Sequence, residues 1–408
     1  MDVINPRCAG LDVHKDSISV HARIQKGRKI TREAATFGTT TRELLRLLDF
    51  LKEHRVTAVA MEATGVYWKP VWHILEGHFE LVLANARDIK NVPGRKTDVK
   101  DAEWIADLLA HGLIRASFVP PAPIQELRDL TRTRSQLAAE RGKHVQRIQK
   151  VLEDANLKLA SVLTDILGKS GRAILDALVG GEANPEKLAA MVDRRVKASQ
   201  AQLVEALQGR VTKHHRFMLK LHLGQIDALD STLLALEAEL EAHLSSFRDL
   251  RRRLQTIPGV ASGASAAILA EVGVDVTPFS THGHLVSWTC ISPGHNESAG
   301  KRRGTRTKPK RWLKPILVQA AWGAVREKKD TYLRSQFYRI RSRRGSKKAI
   351  VAVAGSILTA AYYIIRDGVE YKDLGGDYFN RLNPPRQVNQ LVRRLQQLGY
   401  AVELKTAA

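Results

Sequence analysis

Cysteine is nearly absent from this chain: Cys8 and Cys290 are the two it has in 408 residues. That excludes a disulfide framework and a cysteine-rich zinc site, and it fits a reducing compartment. Acid is scarce relative to base. Against 42 Asp and Glu stand 65 Lys and Arg, a formal charge of +23 with a pI near 10.1. So large a surplus points to a polyanionic partner, most simply nucleic acid. Long apolar runs are also missing. The longest uncharged stretch, 349–365, is short for a membrane span, contains Gly355, Ser356 and Thr359, and is flanked by charge. A buried helix is expected there and no membrane association. The N-terminus lacks the basic-apolar-small pattern of a signal peptide, so a cytoplasmic location is expected. What is present in normal measure is hydrophobic residue, at 44%, which rules against general disorder.

Residues 1–122 alternate strand-like and helix-like patterns. Segments 8–13, 17–24 and 29–37 read as three consecutive short strands. Segment 39–54 reads as a helix with Leu44, Leu45, Leu47, Leu48 and Leu51 on one broad face. A strand over 57–61, a helix over 65–77 interrupted by Pro70, a strand over 81–84 and a helix over 98–113 follow. Three strands, helix, strand, helix, strand, helix is the order of an RNase H-like α/β domain. Pro120, Pro121 and Pro123 then mark a break. Residues 123–254 read as a helical coiled-coil arm, because 125–163 and 217–254 are rich in Leu, Ala, Glu and Arg, with Leu221, Ile226, Leu229, Leu233, Leu236, Leu240 and Leu244 recurring every three to five residues. Arg132, Arg134, Arg141, Lys143 and Arg147 on the arm are either nucleic-acid contacts or a solvated face. Residues 255–370 read as a mainly α-helical unit. In it Ile257-Pro258-Gly259-Val260 forms either a helix-hairpin-helix-like turn approaching a phosphate or a plain helix–helix turn. Residues 371–408 read as an appendage ending in a helix over 387–398.

Four acids stand out by position. Asp12 lies in the first strand and Glu62 ends the strand after Ala58-Val59-Ala60-Met61. Asp98 and Asp101 sit three apart in Lys96-Thr97-Asp98-Val99-Lys100-Asp101-Ala102, on one face of the helix they open. In an RNase H-like sheet the first and fourth strands are neighbours, so these carboxylates converge. A cluster of like charges needs cations, and oxygen donors suit Mg²⁺ or Mn²⁺, two of which stabilise the entering and leaving oxygens of a phosphodiester. Each acid also has a plainer role: turn residue, strand end, helix N-cap or first-turn acid. Asp88 and Asp107 are nearby competitors, the latter better read as an exposed helical residue.

The second constellation is Ser292-Pro293-Gly294-His295-Asn296-Glu297-Ser298-Ala299-Gly300 and the basic run after it. Between residues 301 and 348 there are eighteen Lys or Arg and two acids, Glu327 and Asp330. Lys301, Arg302, Arg303, Arg306, Lys308, Lys310 and Arg311 are the expected nucleic-acid contacts. Trp312, Tyr332, Phe337 and Tyr338 are interleaved, either for stacking on unpaired bases or for core packing. A serine beside arginines suits a phosphoryl nucleophile, and on chemistry alone Ser292, Ser346 and Ser356 compete with one another for that role.

These motifs together resemble the insertion-sequence one-ten (DEDD) family of transposases. The resemblance rests on Gly10-Leu11-Asp12-Val13-His14-Lys15, Met61-Glu62-Ala63-Thr64-Gly65, Lys96 to Ala102, Ile257 to Val260, Ser292-Pro293 with Ser298 and Lys301-Arg302-Arg303, and Leu317-Val318-Gln319-Ala320-Ala321. It implies a RuvC-like N-terminal domain in which Asp12, Glu62, Asp98 and Asp101 hold the metal. It further implies a C-terminal transposase domain with Ser298 as nucleophile and a covalent phosphoserine intermediate. Donor and target DNA, a structured bridge-type non-coding RNA that pairs with both, and dimers assembling to tetramers are the implied partners, with the composite site shared between subunits. The chain departs from the family pattern at Ala261, Cys290, Ala299 and Lys308-Pro309-Lys310. The alternatives carried forward are a metal-only RuvC-type junction nuclease using water, a non-catalytic nucleic-acid scaffold, and an actin-like kinase or ATPase.

Overall fold

The computed structural model describes residues 3–63, 65–85, 89, 101–292, 296–298, 301–303, 312–382 and 384–405. The chain divides into two compact units, Met1–Pro120 and Pro121–Ala408.

The first unit is built on a five-stranded mixed sheet. Its strands are β1 (Arg7–Val13), β2 (Ser17–Lys26), β3 (Lys29–Gly38), β4 (Ala58–Glu62) and β5 (Glu80–Ala84), in the spatial order β3-β2-β1-β4-β5. The first three form an antiparallel meander, and β4 and β5 join in parallel beside β1. The first and fourth strands are therefore neighbours, as an RNase H-like sheet requires. Helix α1 (Thr41–Glu53) lays Leu44, Leu47, Leu48 and Leu51 on one sheet face, over Ala9, Leu11, Val13, Val59 and Met61. Leu45 is 46% exposed and does not belong to that face. Helix α2 (Trp68–Leu75) contains Pro70 without interruption, because Pro70 falls in the first turn, where a backbone N–H has no intrahelical acceptor to lose. Helix α3 (Asp101–Ala110) covers the opposite face, against Cys8, Ala58, Ala60 and Ala84. β1 thus has both faces covered, which explains its nearly unbroken apolar run. Edge strand β3 is solvated along most of its length and carries Lys29, Arg32 and Glu33.

The second unit starts with α4 (Ala122–Asp154), 33 residues long, with Pro121 as N-cap and Pro123 in the first turn. Four short helices follow: α5 (Leu159–Val162), α6 (Lys169–Gly180), α7 (Pro185–Ala190) and α8 (Gln200–Leu207). The chain then returns through α9 (Lys213–Leu244). Arg134 pairs with Glu237, Arg141 with Asp230 and His144 with His222, so numbers rise on α4 as they fall on α9 and the two run antiparallel. The helices bury Ile148, Leu152, Leu219, Leu223 and Ile226 into a core shared with the short helices. Leu221, expected on the apolar stripe, is 45% exposed.

Next come α10 (Arg248–Leu254), α11 (Ser262–Val272), α12 (His282–Trp288), a hairpin of β6 (Asn296–Ser298) and β7 (Lys301–Arg303), α13 (Leu313–Arg326), α14 (Tyr332–Arg344) and α15 (Ser346–Asp367). Two helices, α16 (Tyr378–Arg381) and α17 (Pro384–Gln397), end the described chain. Gly259, in the turn between α10 and α11, has φ +80°, and a Cβ there would lie 2.5 Å from the backbone nitrogen of Ala324 on α13. This glycine lets the turn pack closely on the backbone of α13. α15 is long and apolar enough by composition to cross a membrane, but 56% of its most apolar window is buried within the structure.

Candidate active site

β1 and β4 run parallel, with Gly10 opposite Ala60 and Leu11 opposite Met61. The next residue on each strand is Asp12 and Glu62. Side chains alternate along a strand. Leu11 and Met61 face the α1 side, so Asp12 and Glu62 project to the other side, with Cys8, Gly10, Ala58 and Ala60 under α3.

α3 runs antiparallel to β1, and its contacts fix the register. The Asn5 Nδ2 donates to the Leu109 carbonyl at 2.9 Å, and the Cys8 Sγ to that of Ala106 at 3.4 Å. A Cβ on Gly10 would overlap the Ala102 carbonyl oxygen and lie 2.5 Å from the Ala106 nitrogen. Each step along β1 thus moves back along α3, and the step to Asp12 reaches the helix start, where Asp101 stands. Carboxylates in a first turn, here Asp101 and Glu103, also meet the positive end of the helix dipole.

The structure therefore brings Asp12, Glu62 and Asp101 to one end of one sheet face. Asp98 lies outside the described residues. Asp12 is 20% exposed and accepts a hydrogen bond from His14 Nε2 at 3.1 Å. Among the described residues no three His, Cys, Asp or Glu side chains stand close enough together to enclose an ion. Asp12, Glu62 and Asp101 offer carboxylate oxygens, the chemistry of a hard divalent cation, with the His14 imidazole beside Asp12.

Asp107 corrects the sequence reading. It is not a free exposed residue: it accepts from Arg23 Nε at 2.9 Å and lies 3.4 Å from Arg32. Arg23 is 3% exposed and sits opposite Cys8 in the sheet, on the α3 face. A buried guanidinium needs a carboxylate, and Asp107 supplies it. Burial pushes the Cys8 thiol beside this pair up to about 11, with Arg23 acting in the opposite direction. Arg23 alternates with Ser19, His21 and Gln25 on the polar side of β2, so the local pattern did not single it out.

Ser298 ends β6, and its backbone is paired antiparallel with β7, Ser298 opposite Lys301, Glu297 opposite Arg302 and Asn296 opposite Arg303. The hairpin thus sets the serine position next to a run of three cationic positions. Arg306, Lys308, Lys310 and Arg311 lie outside the described residues. Upstream, Cys290 has φ +57°, the left-handed region that favours glycine, and Lys314 Nζ donates to its carbonyl at 2.8 Å. Of the competing serines, Ser356 is taken up by Gln336 Nε2 at 2.9 Å. Three of the arm's arginines are also engaged. Arg132 forms a two-pronged pair with buried Glu271 at 2.7 and 2.9 Å, Arg134 pairs with Glu237, and Arg141 with Asp230.

The amino-acid sequence matches known transposase families in two segments. Residues 9–157 match the DEDD transposase model of the IS110 type, and residues 251–339 match the transposase family IS116/IS110/IS902. An insertion element IS116 uncharacterized 44.8 kDa protein of Streptomyces clavuligerus is 25% identical over 292 residues, 63% of this chain and 72% of that protein. These matches define a transposase, an enzyme of DNA transposition. Both matched segments are of the IS110 type, so the chain is similar to that family of insertion-sequence transposases over these two stretches.

Proposed function

We propose that this transposase cuts and rejoins DNA through a phosphoserine on Ser298, with Asp12, Glu62, Asp98 and Asp101 holding divalent metal, Mg²⁺ or Mn²⁺. The observation that carries the reading is the arrival of Asp12, Glu62 and Asp101 at one sheet end from three separate stretches of chain. Bound there, the metal supplies positive charge for the scissile phosphate. The chain's own residues do the rest. The Ser298 Oγ gives up its proton and bonds to phosphorus, the bond from phosphorus to a deoxyribose oxygen breaks, and that oxygen takes up a proton. Attack by the hydroxyl of another strand reverses the chemistry and frees the serine, so no ATP is required. Lys301, Arg302 and Arg303, paired along the serine's own hairpin, offset charge on the phosphate oxygens, and Arg306, Lys308, Lys310 and Arg311 extend that role. His14 holds one Asp12 oxygen and orients it.

Partner choice follows from the same reading: donor and target DNA, a bridge-type non-coding RNA whose pairing selects sequence, and a homodimer that assembles to a tetramer. A water-using RuvC-type junction nuclease needs the acid cluster alone, and a denaturing gel separates the two. With labelled DNA and Mg²⁺, the wild type is expected to give a protein-linked band, and Ser298→Ala to lose the band while still binding DNA. A band of undiminished strength in Ser298→Ala overturns the serine; wild-type cleavage with no band supports the nuclease.

A further inference from the structure

Several of the second unit's cations are paired with acids. On the arm, Arg134, Arg141 and Arg172 are matched by Glu237, Asp230 and Asp227. Residues 332–348 are different. They contain seven Lys or Arg and no acid, and among the described residues no ion pair neutralises any of them. Six of the seven are exposed, and Arg334 is half-buried, donating to the Glu327 carbonyl.

The interleaved aromatics also separate. Phe337 is 3% exposed and packs edge-on against Trp322. Tyr332 stacks on Phe379 at 5.2 Å, and Trp312 lies under Arg132 at 5.4 Å. Tyr338 differs: it is 45% exposed, with the guanidinium of Arg334 at 5.5 Å and that of Arg341 at 5.8 Å from its ring centre. At 100° per residue, positions 334, 338 and 341 form one stripe along α14. An exposed ring flanked by two guanidiniums without carboxylate partners combines a stacking face with phosphate-binding charge.

We propose that the Arg334–Tyr338–Arg341 stripe of α14 binds an unpaired DNA strand, one base stacking on Tyr338 and the two arginines moving onto the phosphates either side. The inference rests on the DNA-acting reading above and specifies where an unwound strand is held during exchange. Duplex DNA hides its base faces, so the ring discriminates single strand from duplex, while the arginines serve both.

The test is fluorescence anisotropy on the full chain without metal, using labelled oligo(dT), duplex DNA of equal length and oligo(rU). Tyr338→Ala is expected to weaken oligo(dT) binding about tenfold or more and to leave duplex binding unchanged. Tyr338→Phe, which keeps the ring face, should bind oligo(dT) like the wild type. Arg334→Gln with Arg341→Gln should weaken both DNA ligands and reduce the oligo(dT) salt slope by about 0.7 for each charge removed. Unchanged thermal melting of each variant excludes misfolding as the cause. Equal losses for oligo(dT) and duplex in Tyr338→Ala, no loss, a loss confined to oligo(rU), or a Tyr338→Phe as impaired as Tyr338→Ala would each overturn the proposal. If the wild type binds both DNAs and Tyr338→Ala spares oligo(dT), this inference alone falls. If the wild type binds neither, the DNA-acting reading falls with it.

Discussion

Gly10 shows how one residue shapes the candidate site. Its missing side chain lets α3 approach β1 until the Ala102 carbonyl and the Ala106 nitrogen occupy the space of a Cβ. Backbone atoms on both sides leave nothing flexible to move. Gly10→Ala is therefore expected to push α3 off the sheet, costing about 1–3 kcal/mol in urea unfolding. It should also separate Asp101 from Asp12, so cleavage in Mg²⁺ should fall further than the lost folded fraction explains. A variant as stable and active as the parent would show that the helix start does not depend on this contact. Asp12 and Glu62 were legible in sequence because strand ends and alternation are local patterns. Asp107 was not, since its partner Arg23 lies 84 residues away and only the folded sheet puts them together.

At the level of elements, periodicity found the long helices of the arm, but not the fate of their charges. Arg132 was open to a nucleic-acid role until the fold set Glu271, 139 residues further on, against it. Glu271 is 4% exposed at the end of α11. Arg128 donates to the carbonyls of Ala270 and Glu271 at 3.0 and 2.8 Å, and burial holds its pKa down to about 10. The group ties α4 to α11. Glu271→Leu leaves Arg128 and Arg132 without their carboxylate and is expected to cost about 3 kcal/mol in chemical denaturation. Adding Arg132→Met to that variant should recover part of the loss; a double variant less stable than the single one would mean the pair is not what holds the helices. The turn before α11 carries a similar lesson. The sequence left Gly259 between a phosphate-approaching hairpin and a plain turn, and in the fold it packs on the backbone of α13.

Taken as a molecule, the chain is dominated by its +23 charge. DNA binding is expected to be strongly salt-dependent: with six or more phosphates contacted, raising monovalent salt from about 50 to about 200 mM should weaken affinity by about a thousandfold. A nearly flat salt titration would remove the basic segment from the interface. Composition, strand and helix order and the placing of Asp12 and Glu62 near strand ends were legible in the order of residues, because each depends on neighbours close along the chain; Ser298 was singled out only by the family resemblance. Three things were decided only by the tertiary fold: which side of β1 faces α3, which arginines are neutralised and which are left for a ligand, and that Tyr338 is exposed where Phe337 is buried. Those outcomes depend on groups far apart in the chain meeting in a low-dielectric interior, where an unpaired charge is costly and a missing Cβ sets how closely two elements pack.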